Sequence, residues 1–98
     1  MARFSVHNLS GSSRVVNLQS DFLEWADTRV VAPLVPLDQS PPPAKYLNPV
    51  FTLEGGSFVL IIQSMAAVPA SLLGPAIGDL SNHQDKITRA VDMVFQGF

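Results

Sequence analysis

The sequence predicts a mainly β chain that closes with one helix, a small antiparallel barrel or sheet backed by a C-terminal helical segment. Three observations carry this reading. Apolar residues recur at a period of two in the first third of the chain, and clusters of turn-forming residues separate those runs. A stripe at helical spacing occurs only near the end, where Ile87, Ala90, Val91 and Val94 fall on one face.

In the first strand Ala2, Phe4 and Val6 share one face, with Arg3, Ser5 and His7 on the other. Leu9 to Ser13 supplies a turn, and Arg14 to Gln19 resumes as a second strand rich in β-branched residues. A short segment from Asp21 to Asp27 carries Phe22, Leu23 and Trp25, and Thr28 to Leu37 reads as a third strand. Pro33 and Pro36 cannot donate ladder hydrogen bonds, so this strand is expected at an edge, or bent or bulged where they fall. Gln39 to Ala44, with its three consecutive prolines, is a loop. Pro49 to Glu54, a Gly55-Gly56 turn and Ser57 to Ser64 read as a hairpin. Met65 to Gly78 is apolar but broken by Pro69, Gly74, Pro75 and Gly78, which indicates a closely packed, turning segment and no long helix. Ser81 and Gln84 have the spacing of a capping box at the start of the final helix, and Gly97 is placed to end it. Asp85, Arg89, Asp92 and Gln96 lie on the face opposite the apolar stripe.

With 98 residues, 47% of them apolar and 14% charged, a single domain over 1–98 is expected. The chain contains no cysteine, which removes disulfides, thiolate metal sites and a thiol nucleophile and fits a cytoplasmic protein. The N-terminal residues lack the apolar core of a signal peptide, and the longest apolar run, Phe58 to Ile62, is far too short to span a bilayer. The net charge is −2 and the six Lys and Arg residues are scattered, so no phosphate-neutralising cluster points to direct nucleic-acid binding.

No catalytic constellation is visible. His7 and His83 stand in unrelated contexts, neither at metal-ligand spacing to a second ligand, and no phosphate-binding or nucleophile-elbow motif occurs. Asp85 and Asp92 flank Arg89 at spacings suited to ordinary helix-surface ion pairs. The chain is therefore expected not to be an enzyme and to need neither cofactor nor metal. Two aromatic clusters remain, Phe22, Leu23 and Trp25 in one short segment and Phe95 with Phe98 in the tail; such residues anchor protein interfaces. Phe98 carries the terminal carboxylate, which resists burial and suits an interface position.

Several segments in order resemble the CcdB family of toxins. They are Val16 to Asp21, Thr28 to Leu34, Leu47 to Val50, Met65 to Ser71, Leu73-Gly74, Asp79 to Ser81, and the helix ending in Phe95-Gln96-Gly97-Phe98. The resemblance implies an SH3-like antiparallel barrel with a C-terminal helix, a homodimer, and a cytoplasmic toxin of a type II toxin–antitoxin pair. It further implies binding to the gyrase A subunit, with gyrase trapped on cleaved DNA and no chemistry done by the toxin. A cognate antitoxin would neutralise it through a disordered segment and co-repress the operon, making the DNA contacts itself. Carried over position by position, the gyrase-facing residues are Phe22, Leu23, Asp92, Phe95, Gln96, Gly97 and Phe98; the resemblance does not carry over antitoxin contacts. This chain departs from the familiar pattern in having Gln96 in place of Trp, Phe98 in place of Ile and Asp92 in place of Asn. Gln96 motivates a second reading, a non-toxic homologue that binds antitoxin alone. A third, an mRNA-cleaving toxin on the same barrel, would need an Arg with an acid/base partner, for which Arg14 and Arg29 are available.

Overall fold

The computed structural model describes residues 2–11 and 13–97. Over them run β1 (Ser5–Leu9), β2 (Ser13–Asn17), β3 (Thr28–Pro36), β4 (Val50–Leu53), β5 (Gly56–Leu60), β6 (Ala66–Pro69), β7 (Leu73–Asp79) and α1 (Gln84–Gln96). All strand pairs are antiparallel, in the order β4-β5-β3-β2-β1-β7 with β6 added against β3, and the sheet curls into a half-barrel. The mainly β fold with one C-terminal helix is the one the sequence predicts.

β3 is the central strand and not an edge. β2 runs along one side of it; on the other, β6 pairs with Thr28 to Val31 and β5 with Leu34 to Pro36. Pro33 falls between those two partners. Its carbonyl turns to that side and accepts the Ile61 amide at 2.9 Å, so the donor that proline lacks would have pointed into the same gap. No ladder bond is lost, which is how a central strand accommodates this proline.

Three other expectations shift in detail. Leu53 pairs with Gly56, so the hairpin turns on Glu54-Gly55, one residue earlier than Gly55-Gly56. Both turn residues have positive φ, 52° and 77°, as a two-residue turn between twisted strands requires. β5 stops at Leu60, followed by a 3-10 turn at Ile62–Ser64. The segment from Met65 to Gly78 holds two strands, β6 and β7, joined by a 3-10 turn at Ala70–Leu72. β7 tolerates Gly74, Pro75 and Gly78 because it pairs only with β1, in a register broken by bulges.

The core gathers Val6, Val16, Ala32, Leu34, Leu60 and Ile62 from the sheet side against Ile87 and Ala90 of α1. Burying a residue the size of Ile87 stabilises the fold by about 2 kcal/mol. Val91 packs at the edge of this core, while Val94, the end of the predicted stripe, is a little over one-third exposed. The opposite face of the central strands is closed as well: Ser5, His7, Val15, Asn17, Val31 and Val59 are all buried. The polar face expected of the first strand is thus interior. His7 sits between the Gly74 carbonyl, 2.7 Å from Nδ1, and Ser5 Oγ, 2.7 Å from Nε2. A carbonyl only accepts, so Nδ1 carries the proton.

The capping box does not form, and neither Ser81 nor Gln84 closes the helix start with its side chain. A 3-10 turn at Ser81–His83 precedes α1, and Asp79 Oδ1 accepts the Ser81 amide at 2.6 Å. The backbone hydrogen bond from Ser81, and then that residue's side chain, hold the Asp79 carboxyl below its ordinary value. A group with a depressed folded pKa contributes fully above the ordinary carboxylate range and loses that contribution as pH falls through its folded value. Asp79→Ala is therefore expected to lower stability by about 1 kcal/mol near neutral pH. Denaturant titrations of the two proteins should converge as the pH is taken well below 4, about the ordinary carboxylate pKa; a constant difference would show that the cap does not depend on charge. At the other end Gly97, with φ of 81°, terminates α1 and donates its amide to Met93 O at 3.0 Å, as the sequence predicts.

Candidate functional site

The loop between β2 and β3 is tied down at several points. Ser20 Oγ accepts the Phe22 amide at 3.2 Å and starts a 3-10 turn at Asp21–Leu23. Gln19 holds both ends of the loop: its Nε2 donates to Leu23 O at 3.1 Å and to Thr28 O at 3.0 Å, while its Oε1 accepts the Val30 amide at 3.1 Å. Arg29 is buried and its guanidinium faces the inside of the loop, donating to Glu24 O at 2.7 Å, to Thr28 O at 2.8 Å and to Ala26 O. The Arg3 amide adds a bond to Asp21 Oδ1 at 2.9 Å.

This internal bonding fixes the backbone and turns the apolar side chains outward. Phe22 is 88% exposed and Trp25 80%, with Leu23 about half exposed. Large aromatics on an immobilised loop lose little conformational freedom when a partner covers them. The end of α1 lies across from this loop. Leu23, Val30, Met65, Val91 and Phe95 line a shared groove of about 270 Å³, and Phe95 is 70% exposed at its rim. The structure thus brings Leu23 and Phe95 to one groove, with Phe22 beside it on the loop. Asp92, half-buried, and Gln96 and Gly97, both exposed, continue on the helix side without lining the groove. Phe98 lies outside the described residues. Trp25 was visible in sequence as part of the aromatic cluster and takes its place on the same exposed loop.

The groups suited to chemistry are engaged elsewhere. Arg29 is committed to the loop carbonyls, and His7 to the interior of the sheet. His83 packs against Phe51 with ring centroids 5.1 Å apart. Arg14 of β2 pairs at 3.0 Å with Glu54 in the β4–β5 turn and lies over the Phe58 ring at 5.0 Å. The ion pairs expected between Arg89 and Asp85 or Asp92 do not form; Arg89 stacks on Tyr46. Among the described residues no group of His, Cys, Asp and Glu could hold a metal ion, and no helix is long and apolar enough to cross a membrane.

A small curled antiparallel sheet carrying one C-terminal helix is the fold of the small β-barrel toxins. Among solved structures, the Mycobacterium tuberculosis toxin MazF-mt6 superposes with a TM-score of 0.76 at 17% identity, over 93% of this chain and 95% of that one. An endoribonuclease in complex with its cognate antitoxin, from a mycobacterial species, gives 0.77 at 12% identity over 97% and 94%. A further mycobacterial endoribonuclease gives 0.79 at 10% identity over 97% and 90%. At such identities the likeness is one of fold. The chain belongs to the CcdB protein family, whose sequence model matches residues 3–97, and is a CcdB-family toxin of a toxin–antitoxin system.

Proposed function

We propose that this toxin is a cytoplasmic, non-enzymatic poison of DNA gyrase, acting as a homodimer that binds the gyrase A subunit and holds the enzyme on cleaved DNA. A ligand that binds one conformation better than the others shifts the population toward it, and nothing more is required to arrest a cycling enzyme. The observation that supports this reading is the paired display of Phe22 and Phe95 on two fixed elements beside an apolar groove. Leu23, Asp92, Gln96, Gly97 and Phe98 extend the proposed gyrase-facing surface around them. A cognate antitoxin neutralises the toxin and represses the shared operon with it.

The test is incubation of the purified protein with gyrase of its own host and supercoiled plasmid, followed by denaturation to reveal linear DNA. Accumulation of cleaved complex is the expected result, and its absence overturns the proposal in favour of a homologue that binds antitoxin alone, the reading that Gln96 motivates. Removing Gly97 and Phe98 is expected to abolish cleavage-complex formation while antitoxin binding persists. Equal loss of both activities would make the tail structural. The mRNA-cleaving reading draws on the endoribonuclease relatives in fold, but Arg29 is committed to the loop and Arg14 to Glu54. Incubation with RNA is expected to leave it intact.

A further inference from the structure

Away from the aromatic loop, on the other border of the exposed arc of α1, the chain builds a second concave site. At about 100° of rotation per residue, Phe95 and Lys86 lie on opposite sides of the arc centred near Asp92 and Gln96. Tyr46, Pro49, Val50, Lys86 and Arg89 line a pocket of about 300 Å³, whose floor is apolar and whose rim carries charge. Lys86 and Arg89 are one helical turn apart on the same side. The Arg89 guanidinium carbon lies 3.6 Å from the centre of the Tyr46 ring, and the Lys45 ammonium 5.0 Å from it. Two of the chain's six Lys and Arg residues thus lie over one aromatic ring and a third, Lys86, lines the same pocket, in a protein of net charge −2.

The backbone there is held in an unusual conformation. Tyr46 has φ of 66°, in the left-handed region that a bulky residue adopts at a cost of about 1 kcal/mol or more. Asn48, buried two residues further on, keeps the turn closed: its Oδ1 accepts the Ala44 amide at 3.0 Å, and its Nδ2 donates to Gln63 Oε1 at 2.8 Å and to Leu60 O at 3.3 Å. The result is a ring fixed at the mouth of the pocket and half exposed.

We infer that the pocket lined by Tyr46, Val50, Lys86 and Arg89 is a docking site for an acidic peptide segment of a partner protein, with carboxylates at the Lys86–Arg89 rim and an apolar side chain on Pro49 and Val50. Charge complementarity selects the occupant. A guanidinium donates paired hydrogen bonds to a carboxylate, and one already stacked on an aromatic ring is pre-oriented for this. Nucleic acid fits less well, because the Tyr46 face that would stack a base is covered by Arg89 and no basic track leads away from the pocket. The pocket shares no lining residue with the Leu23–Phe95 groove. Through Arg89 it borders the Asp92 and Gln96 face of α1, and the inference does not depend on the gyrase proposal.

The full-length protein, labelled with ¹⁵N, is titrated with a short peptide of Glu and Leu residues, with its Gln and Leu counterpart, with inorganic phosphate and with an oligouridine. The expected result is a shift of the Tyr46, Val50, Lys86 and Arg89 amide signals with the acidic peptide alone, weakened by added salt. Lys86→Glu, a change on the helix surface remote from the core, should reduce the affinity about tenfold or more with the melting temperature unchanged. Arg89→Gln should act in the same direction. Equal binding of the Gln peptide, shifts confined to the Phe22 and Phe95 surface, no shift at all, or an unaffected Lys86→Glu variant would each overturn the inference. Stronger displacement of these signals by the oligouridine would overturn it in favour of an RNA contact, and by phosphate alone in favour of a simple anion site.

Discussion

Replacing Phe22 and Phe95 together by alanine is expected to remove gyrase poisoning while leaving the fold intact. Both side chains are mostly in solvent in the free protein, so their truncation costs the folded state within about 0.5 kcal/mol. At an interface the same truncation removes large apolar areas, Phe95 from the groove and Phe22 from the adjoining loop. Aromatic anchors of this kind are each worth about 2 kcal/mol or more, which corresponds to roughly 30-fold in affinity. Together the two substitutions should raise the toxin concentration needed for half-maximal cleaved complex by several hundredfold, on the order of the product of those factors. Phe22 sits on a loop and Phe95 on a helix, and they are fixed to the barrel by different bonds. Each single variant should therefore show a clear part of the loss. Cleavage-complex formation by the double variant at wild-type concentration would show that gyrase is engaged elsewhere, or not at all. The melting temperature decides whether a loss of activity is local.

The parts of this molecule that were legible in sequence are those whose pattern is enforced by a single strong constraint. The period of α1 could be read because Ile87 and Ala90 must reach the core together, and Gly97 because the helix end needs a left-handed residue. β3 could be read through its prolines because the β-branched residues around them are unambiguous. The hairpin turn moved by one residue because two adjacent glycines admit two registers. The observed one keeps Phe51 on the core side, and Glu54 accepts a left-handed conformation so that it can. β6 and β7 were hidden because the prolines and glycines that interrupt them are tolerated at the margins of a sheet. The capping-box spacing was present, but Asp79 reaches the Ser81 amide from outside the helix, a competition that no local motif ranks. As for the candidate site, the aromatic loop and tail were visible as apolar residues with no place in the periodic pattern. What remained invisible was the meeting of Tyr46 with Lys86 and Arg89, which are far apart in the chain and adjacent only once the sheet has curled. Arg29 was invisible for another reason: an arginine is ordinarily taken as a surface residue, and nothing local marks this one as interior.

Arg29 is therefore the residue whose replacement should reveal most about how the loop is held. Arg29→Met keeps the apolar stem and removes the guanidinium, leaving the carbonyls of Glu24, Ala26 and Thr28 without that donor. Hydrogen bonds from a charged donor contribute about 1.5 to 3 kcal/mol each when buried, and water entering the loop recovers part of this, so the net loss should be about 2 to 4 kcal/mol. For a domain of this size that lowers the melting temperature by roughly 10 °C or more. Arg29→Lys should fall between the two, since an ammonium keeps the charge but cannot span three carbonyls in one plane. Trp25, the single tryptophan of the chain, lies on the same loop and reports on it directly. Its fluorescence anisotropy should fall in Arg29→Met below the temperature at which the protein unfolds, because the loop loosens before the barrel does. Gyrase poisoning should weaken in step with the anisotropy, as Phe22 must then be ordered at the expense of binding. If Arg29→Met melts like the wild type and Trp25 keeps its anisotropy, the bonds from Gln19, Ser20 and the Arg3 amide suffice to hold the loop, and the buried guanidinium has another role.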